Sequence, residues 1–230
     1  MHKQSMYRMG WFVDSFCNNI GGPEKIKVLD VGSYDVNGSY KELFPPNRFD
    51  YVGLDMVPGP NVDICIENPY VWNDIPNDTF DVIISGQAFE HTEFFWVTLG
   101  EMARVMKKNG LLCIIAPNQC HEHRYPVDCY RFFTDGMISL ARYIQFEVLH
   151  AHVNRAPTTQ HLEWFTELHA DAMLVARKPY SDGVRFVDLG AYKCMPADVN
   201  VVSRPLVTRP KSWKTGLRMK MLGAIDKWLK

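Results

Sequence analysis

Short apolar runs alternate with stretches of helical periodicity along most of this chain. The runs are rich in Val, Ile and Leu and are four to eight residues long. Such runs are typical of strands that are buried on both faces of a parallel sheet. The predicted strands comprise residues 27–31, 51–54, 80–85, 110–117, 146–153 and 171–178.

Helical stretches lie before the first strand and between the predicted strands. Residues 94–108 carry apolar side chains at helical spacing, and the Asn-Gly pair at 109–110 predicts the end of this helix. Lys107 and Lys108 would then interact favourably with the C-terminal end of the helix dipole. Residues 7–19 predict an N-terminal helix. The alternation of strands and helices predicts a doubly wound α/β fold with a mostly parallel sheet.

The composition is that of an ordinary globular protein, and it narrows the class of partner. Of the 230 residues, 47% are hydrophobic and 22% are charged, and the net charge is −1. This balance argues against nucleic acid as a partner, because nucleic-acid-binding domains usually carry a basic patch or stripe. The length predicts one large domain, residues 1–180, followed by a C-terminal extension, residues 181–230.

The C-terminal extension ends in a basic, amphipathic pattern over residues 212–230. We expect a helix there that docks on its own domain or on a second subunit, as in a homodimer. Peripheral contact with an anionic membrane surface is the alternative. The apolar positions that recur about every fourth residue are Trp213, Leu217, Met221, Ile225 and Trp228.

The N-terminal sequence and the cysteines predict a cytoplasmic protein. The first ten residues contain no apolar run, and the longest apolar stretch, residues 111–117, is too short to cross a membrane. The six cysteines do not have the spacing of a disulfide framework. Two of them, Cys65 and Cys113, fall in segments that we expect to be buried or nearly buried strand.

Three features follow predicted strands at their carboxyl ends, where open α/β sheets bind ligands. Gly32 follows the first strand, and a residue without Cβ there lets the backbone approach a ligand closely. Asp55 follows the second strand and is placed to accept hydrogen bonds from ribose hydroxyls. The turn at residues 85–91 would cover the opposite side of the pocket. The dinucleotide fingerprint G-x-G-x-x-G is absent, which favours a nucleoside cofactor without phosphates.

Four segments around these features resemble, in order and spacing, the motifs of class I S-adenosylmethionine (SAM)-dependent methyltransferases. They are KVLDVGS (27–33), YVGLDMVPGPNVDI (51–64), FDVIISGQAFEHT (80–92) and EMARVMKKNGLLCIIAPN (101–118). The resemblance implies a Rossmann-like methyltransferase fold with a seven-stranded sheet, and SAM as the cofactor. The chain departs from the first motif where Tyr34 or Asp35 replaces the usual second glycine.

The resemblance also implies which residues bind the cofactor. By position, Gly32 would line the methionine part of SAM, Asp55 would bind the ribose, and Asp63 would lie near the adenine. The turn after the third predicted strand would face the sulfonium. The complete predicted set is Asp30, Gly32, Ser33, Tyr34, Asp55, Met56, Asp63, Ile64, Ser85, Gly86 and Gln87.

A fifth segment, HEHRYPVDCYRFFTDG (121–136), resembles a subgroup of bacterial methyltransferases associated with surface-polysaccharide pathways. That resemblance implies O-methylation of a sugar or phosphosugar in capsule or lipopolysaccharide synthesis. An alcohol acceptor needs a base, and histidine suits this role because it titrates near neutral pH. The predicted catalytic residues are His91, His121, His123 and Asp128, and the predicted acceptor-binding residues are Arg124, Tyr125 and Arg131.

Several alternatives stay open at this point. His91 could instead cap its turn, and the two arginines could pair with Asp128 and Asp135 on the surface. The enzyme could methylate a nitrogen of another small metabolite, or the chain could be a non-catalytic binding protein with a SAM-type fold. A dehydrogenase is disfavoured by the missing glycines.

No metal is predicted. The cysteines and histidines near the fifth segment match no standard zinc signature in their spacing. A divalent ion held by acidic and histidine side chains is an alternative. The residues considered for zinc are Cys120, His121, His123 and Cys129, and those considered for another divalent ion are Glu90, His91, Asp128 and Asp63.

Overall fold

The computed structural model describes residues 3–22, 24–36, 38–153 and 170–180. These residues form a seven-stranded sheet with helices packed on both faces. The strands are β1 (Ile26–Val31), β2 (Phe49–Asp55), β3 (Ile64–Cys65), β4 (Phe80–Gly86), β5 (Met106–Gln119), β6 (Glu147–Val153) and β7 (Ala170–Arg177). The helices are α1 (Lys3–Ser15), α2 (Phe95–Val105) and α3 (Thr134–Tyr143), and 3₁₀ turns occupy Cys17–Asn19, Tyr40–Leu43 and Phe89–His91.

The strand order across the sheet is β3-β2-β1-β4-β5-β7-β6. Among the described strands, β7 runs antiparallel to both of its neighbours, and the other pairs are parallel. The order reverses between β1 and β4, so the carboxyl ends of these two strands flank the crevice in which open α/β sheets bind ligands. The predicted doubly wound, mostly parallel fold is confirmed.

Each face of the sheet has its own apolar core, because successive residues of a strand point to opposite sides. On one face, Val82 and Ile84 of β4 share a core with Phe12 of α1. On the other face, Ile83 of β4 shares a core with Leu99 of α2. Burial on both faces explains why the strands appear in the sequence as continuous apolar runs.

The N-terminal helix lies closer to the start of the chain than the predicted span of residues 7–19. It covers Lys3–Ser15, and the separate turn at Cys17–Asn19 follows it. Its first turns bury polar side chains: Ser5 is fully buried and shares a hydrogen bond with the hydroxyl of Tyr40. The hydrophobic pattern cannot reveal a helix turn that is buried through polar residues, and this explains the difference.

The predicted end of the second helix was also wrong. The helix ends at Val105, and Lys107 lies in β5 rather than in the last helical turn. Its ammonium group binds the carboxylate of Asp81 in β4, at 2.8 and 2.9 Å from the two oxygens. Strand pairing begins at once after the helix, since Met106 already aligns with Phe80.

A distant lysine satisfies the end of α2 instead. Lys178 follows β7, is 3% exposed, and donates to the carbonyls of Ala103 (3.0 Å) and Met106 (2.5 Å). Its third hydrogen bond goes to the carboxylate of Asp78, at 2.8 Å. One buried ammonium therefore joins the end of α2, the start of β5 and the segment before β4.

Lys178→Met should lower the free energy of unfolding by about 2–3 kcal/mol, because two helix-end carbonyls lose their charged donor. Denaturant unfolding of both proteins measures this difference. The matched control is Lys25→Met, at an exposed position before β1, which should change stability by less than about 0.5 kcal/mol. Equal effects of the two substitutions would show that Lys178 does not fasten these elements.

Three features of the fold were not predicted or were predicted differently. The strand β3 and the helix α3 had no counterpart among the predicted elements. Cys113 is buried as expected, but Cys65 is exposed, because β3 is a two-residue edge strand.

The predicted extension at residues 181–230, with its basic helix, lies outside the described residues. Within the described part of the chain, no helix is long and apolar enough to cross a membrane.

Candidate active site

The turn that follows β1 touches the turn that follows β4. Gly32 has a φ of 82°, a conformation that side chains rarely adopt, and its N–H donates to the carbonyl of Leu54 at 2.9 Å. A Cβ atom placed on Gly32 would lie 2.5 Å from the Cβ of Ala88 in the β4 turn. Glycine is therefore required here for both its backbone conformation and its lack of a side chain.

Asp55, at the end of β2, holds the surrounding loops through its carboxylate. One oxygen accepts the N–H of Tyr34 at 2.9 Å, and the other accepts the N–H groups of Met56 and Val57 at 2.7 and 3.3 Å. The ring of Tyr34 packs against Gly59, where a Cβ would lie 2.3 Å from the ring. Tyr34, one of the two residues at the place of the motif's second glycine, thus points over the β2–β3 loop.

Asp30, in β1, is a buried carboxyl group near this crevice. Its Oδ2 accepts a hydrogen bond from the hydroxyl of Tyr51, while Oδ1 has no hydrogen-bond partner among the described residues. Burial raises the pKa of Asp30 to about 7, the hydrogen bond from Tyr51 opposes that rise, and the negative charge of Asp55 adds to it. The group is balanced between its neutral and charged forms near neutral pH.

A cavity of about 70 Å³ lies at the switch point between the carboxyl ends of β1, β2 and β4. A larger cavity of about 330 Å³ lies beside α2, but its lining includes no residue from those strand ends. The smaller one matches the position at which this architecture binds ligands. Its lining combines a glycine turn and a carboxylate with apolar walls, groups whose chemistry suits the polar ribose and the apolar base of a nucleoside. Its lining is Val31, Gly32, Leu54, Asp55, Met56, Ile66, Pro69, Trp72, Ser85, Ala88, Phe89, Thr92 and Thr98.

Asp63, just before β3, and Ser33, just after β1, were both predicted to bind the cofactor, and both make hydrogen bonds within the protein. Asp63 accepts the N–H of Gly53 at 2.8 Å, and Ser33 donates to the carbonyl of Asn61 at 2.9 Å. Ile64 is the first residue of β3 and packs partly against the core. These contacts fix the path of the loop that follows β2.

The end of β4 has a similar framework role. Ser85 is fully buried and donates to the carbonyl of Val31 at 2.8 Å. A Cβ on Gly86 would lie 2.0 Å from the hydroxyl oxygen of Tyr40, so glycine makes room for that buried tyrosine. Gln87 has a φ of 60° and donates to Asp171 of β7 at 3.1 Å. Ser85 is the member of this group that also lines the cavity.

The loop after β5, residues 120–133 (hereafter the β5 loop), is organised around one carboxylate. Asp128 accepts two hydrogen bonds from the guanidinium of Arg131, at 2.5 and 2.7 Å, and one from the N–H of His123 at 2.8 Å. The hydrogen bonds from Arg131 hold the pKa of Asp128 well below its usual range. Arg124, by contrast, is exposed and pairs with Glu122.

The β5 loop packs on the β4 turn and brings two predicted histidines together. The rings of His91 and His123 lie 4.9 Å apart, and the exposed Tyr125 lies 6.0 Å from His91. Nδ1 of His91 is 2.6 Å from the carbonyl oxygen of Val127. Burial lowers the pKa of His91, so this imidazole is neutral near pH 7. His121 is exposed, with its ring 6.2 Å from that of His123.

Glu90 is an unusual member of this cluster, which the sequence indicated only as an alternative ligand for a divalent ion and not as a predicted site residue. Its side chain is fully buried, and neither carboxylate oxygen has a hydrogen-bond partner within the described residues. Burial raises the pKa of Glu90 to about 8. The sequence offered one signal, a glutamate directly before His91 and directly after a buried strand and turn.

The fold defines a doubly wound α/β protein with a crevice at its switch point, and comparison with known proteins identifies the family. Residues 8–171 match the family described as a methyltransferase domain, and the chain belongs to that family. The predicted class, a SAM-dependent methyltransferase with SAM as its cofactor, is confirmed. The match does not support the surface-polysaccharide subgroup. No curated protein matches the sequence.

Solved structures share the fold at low sequence identity. A SAM-dependent methyltransferase from Archaeoglobus fulgidus is 13% identical, with a TM-score of 0.52 over 76% of this chain and 95% of that chain. The 1,6-didemethyltoxoflavin-N1-methyltransferase of Burkholderia thailandensis, solved with bound 1,6-didemethyltoxoflavin and S-adenosylhomocysteine, is 15% identical, with a TM-score of 0.55 over 76% of this chain and 78% of that chain. The [4+2]-cyclase SpnF is 17% identical, with a TM-score of 0.57 over 76% and 82%. At these identities the likeness concerns the fold and not the reaction.

Proposed function

We propose that this methyltransferase transfers the methyl group of SAM to a hydroxyl of a small polar acceptor, a sugar or phosphosugar used in surface-glycan synthesis. The observation that carries the proposal is the contact between His91 and His123, whose rings lie 4.9 Å apart where the β5 loop meets the β4 turn. Thr92, one residue after His91, lines the cavity at the switch point. A neutral imidazole thus lies next to the space proposed for the cofactor.

The proposed cofactor site is the crevice between the ends of β1, β2 and β4. Gly32 leaves room for the methionine part, and the carboxylate of Asp55 accepts from a ribose hydroxyl with the lone pair that its three backbone donors leave free. Asp30 offers a buried oxygen without a partner among the described residues, which suits a nearby cationic group. When bound, SAM supplies a methyl group on a sulfonium, an electrophile that needs no further activation.

The protein's own residues then orient the acceptor and accept its proton. A hydroxyl is a weak nucleophile, and an imidazole with a pKa near or below neutrality is a suitable base. Burial lowers the pKa of His91, so the ring is in the proton-accepting form at pH 7. Asp128 and Arg131 act as positioning residues, because their ion pair and the bond to the His123 N–H fix the β5 loop.

Arg124 and Tyr125 are the proposed acceptor contacts. Tyr125 is 65% exposed and lies beside His91, and Arg124 precedes it in the chain. The pair of Arg124 with Glu122 is exposed, with 72% and 64% of the side chains accessible. Such surface pairs contribute little free energy, so Arg124 can exchange Glu122 for a phosphate of the acceptor.

The proposal predicts methyl transfer to phosphosugars and a specific defect in Arg124→Gln. We expect this substitution to raise the KM for a phosphosugar by at least about tenfold and to leave the KM for the unphosphorylated sugar unchanged, because a charged hydrogen bond is lost. The measurement is S-adenosylhomocysteine release together with mass analysis of the product. The matched control is Arg177→Gln. It breaks another exposed Arg–Glu pair, which joins the end of β7 to the start of β6.

Two outcomes would redirect the proposal. A product methylated on nitrogen would replace O-methylation by N-methylation at the same site. Tight binding of S-adenosylhomocysteine without transfer to any sugar or phosphosugar would contradict the proposed acceptor class.

A further inference from the structure

A buried carboxyl group without a hydrogen-bond partner among the described residues lies opposite a histidine nitrogen in the proposed site. Oε1 of Glu90 is 3.7 Å from Nε2 of His91, which is too long for a hydrogen bond. Neither oxygen of Glu90 has a hydrogen-bond partner among the described residues, and the side chain is fully buried. A buried carboxyl group is charged at little cost only when it is paired or coordinates a metal, and it otherwise stays protonated.

The hydrogen bonds of the two histidines fix which ring nitrogens are free. Nδ1 of His91 is 2.6 Å from the carbonyl of Val127, and Nδ1 of His123 is 3.1 Å from the carbonyl of His121. A carbonyl oxygen only accepts, so Nδ1 carries the proton in both rings. Nε2 of each ring is left with its lone pair. Metal-binding histidines commonly donate their other N–H to a carbonyl in this way.

Glu90, His91 and His123 meet the geometric requirement for a shared ion. One ligand atom from each lies within 4.8 Å of the others. In a loaded site with bonds of about 2.0–2.2 Å, ligand atoms are about 3–3.5 Å apart, so the most distant ligand atoms would have to approach by up to about 1–2 Å. We propose that Glu90, His91 and His123 form a binding site for a divalent transition-metal ion. This inference rests on the proposed function, since it concerns the same acceptor site.

Two histidines and one carboxylate are a common ligand set for such ions, and they leave coordination positions open. The open positions would face the acceptor side, where Tyr125 is exposed beside His91. A hydroxyl bound to the ion becomes more acidic, as water does on a bound metal. With Nε2 of His91 on the ion, the ion would take over the role of the imidazole: it would lower the pKa of the bound acceptor hydroxyl, whose proton would pass to solvent, and it would hold the acceptor's oxygen in place for the transfer.

The surroundings of the cluster would hold two of the ligands in position. The carbonyl of Val127 orients the His91 ring, and Asp128 binds the backbone N–H of His123 at 2.8 Å. A second hydrogen bond between the β5 loop and the β4 turn runs from the N–H of Cys129 to the carbonyl of Glu90, at 2.7 Å. These contacts come from both loops, so the ligand set depends on their packing.

Calorimetric titration of the full chain with Co²⁺ tests the site directly, with the cobalt absorption spectrum as a second readout. We expect one equivalent to bind, and Glu90→Gln to weaken that binding by at least about tenfold. Glu90→Gln keeps all eight histidines of the chain, so it separates this site from adventitious histidine binding. His123→Asn should have a similar effect, whereas His150→Asn, in β6, should have none.

Titration with S-adenosylhomocysteine in parallel reports whether each variant is folded and keeps the cofactor site. Cobalt binding that is absent, or that survives both Glu90→Gln and His123→Asn, would overturn the metal site. If S-adenosylhomocysteine then still binds and methyl transfer continues in the presence of a chelator, the proposed function stands without the metal. Cobalt binding that is sensitive to Glu90→Gln supports the metal site even where no acceptor has been methylated.

Discussion

Gly32→Ala should weaken binding of S-adenosylhomocysteine by at least about 100-fold and lower the free energy of unfolding by about 2–5 kcal/mol. The new methyl group would lie 2.5 Å from the Cβ of Ala88, and the φ of 82° is unfavourable for alanine. Both effects act at the contact between the β1 and β4 turns, which form one wall of the cavity. Calorimetric titration and denaturant unfolding measure the two losses.

Two further variants separate the causes. In the double variant Gly32→Ala with Ala88→Gly, the steric contact is removed and the backbone cost remains, so stability should recover in part. Gly136→Ala is the matched control, because Gly136 lies in α3 with no atom near its missing Cβ. Alanine should stabilise that helix by about 0.5–1 kcal/mol. Unimpaired ligand binding by Gly32→Ala would show that the β1 turn does not line the cofactor site.

The central strands could be predicted because they are covered on both faces, which makes every residue of the run apolar. The two-residue β3 carries no such signal, and the helical pattern of α3 in the sequence is weakened by Gly136 in its first turns. The end of α2 could not be predicted, because Lys178, which binds its last carbonyls, lies more than 70 residues away along the chain. Local sequence shows which segments are buried, but it does not show which distant side chain completes their hydrogen bonds.

The candidate site also has a part that the sequence predicts and a part that only the folded structure shows. Gly32 and Asp55 follow buried strands directly, so their position at the crevice could be read from the pattern. The meeting of His91 with His123 depends on the packing of the β5 loop on the β4 turn, which no periodicity shows. The missing hydrogen-bond partners of Glu90 are a property of the folded structure alone, and that is why the sequence favoured no metal while the structure suggests a ligand set.

The buried carboxyl of Asp30 should make the stability of the folded protein depend on pH. Burial raises its pKa from 3.8 to about 7. Below about pH 4 the group is neutral in both the folded and the unfolded chain, so it has no effect there. Between pH 4 and 7 the unfolded chain releases this proton while the folded protein keeps it, so rising pH favours unfolding. Above pH 7 the decrease in the free energy of unfolding is complete and stays constant, at about 3–5 kcal/mol.

Asp30→Asn removes this titration and keeps an oxygen that accepts from the Tyr51 hydroxyl. The stability of the variant relative to the natural protein should therefore improve by about 3–5 kcal/mol as the pH rises from 4 to 8. Denaturant unfolding of the ligand-free proteins across that range measures the change. Asp50→Asn, at an exposed position of β2, is the matched control and should keep the pH dependence of the natural protein. Parallel curves for Asp30→Asn and the natural protein would mean that Asp30 is already ionised at low pH, with its second oxygen solvated or paired.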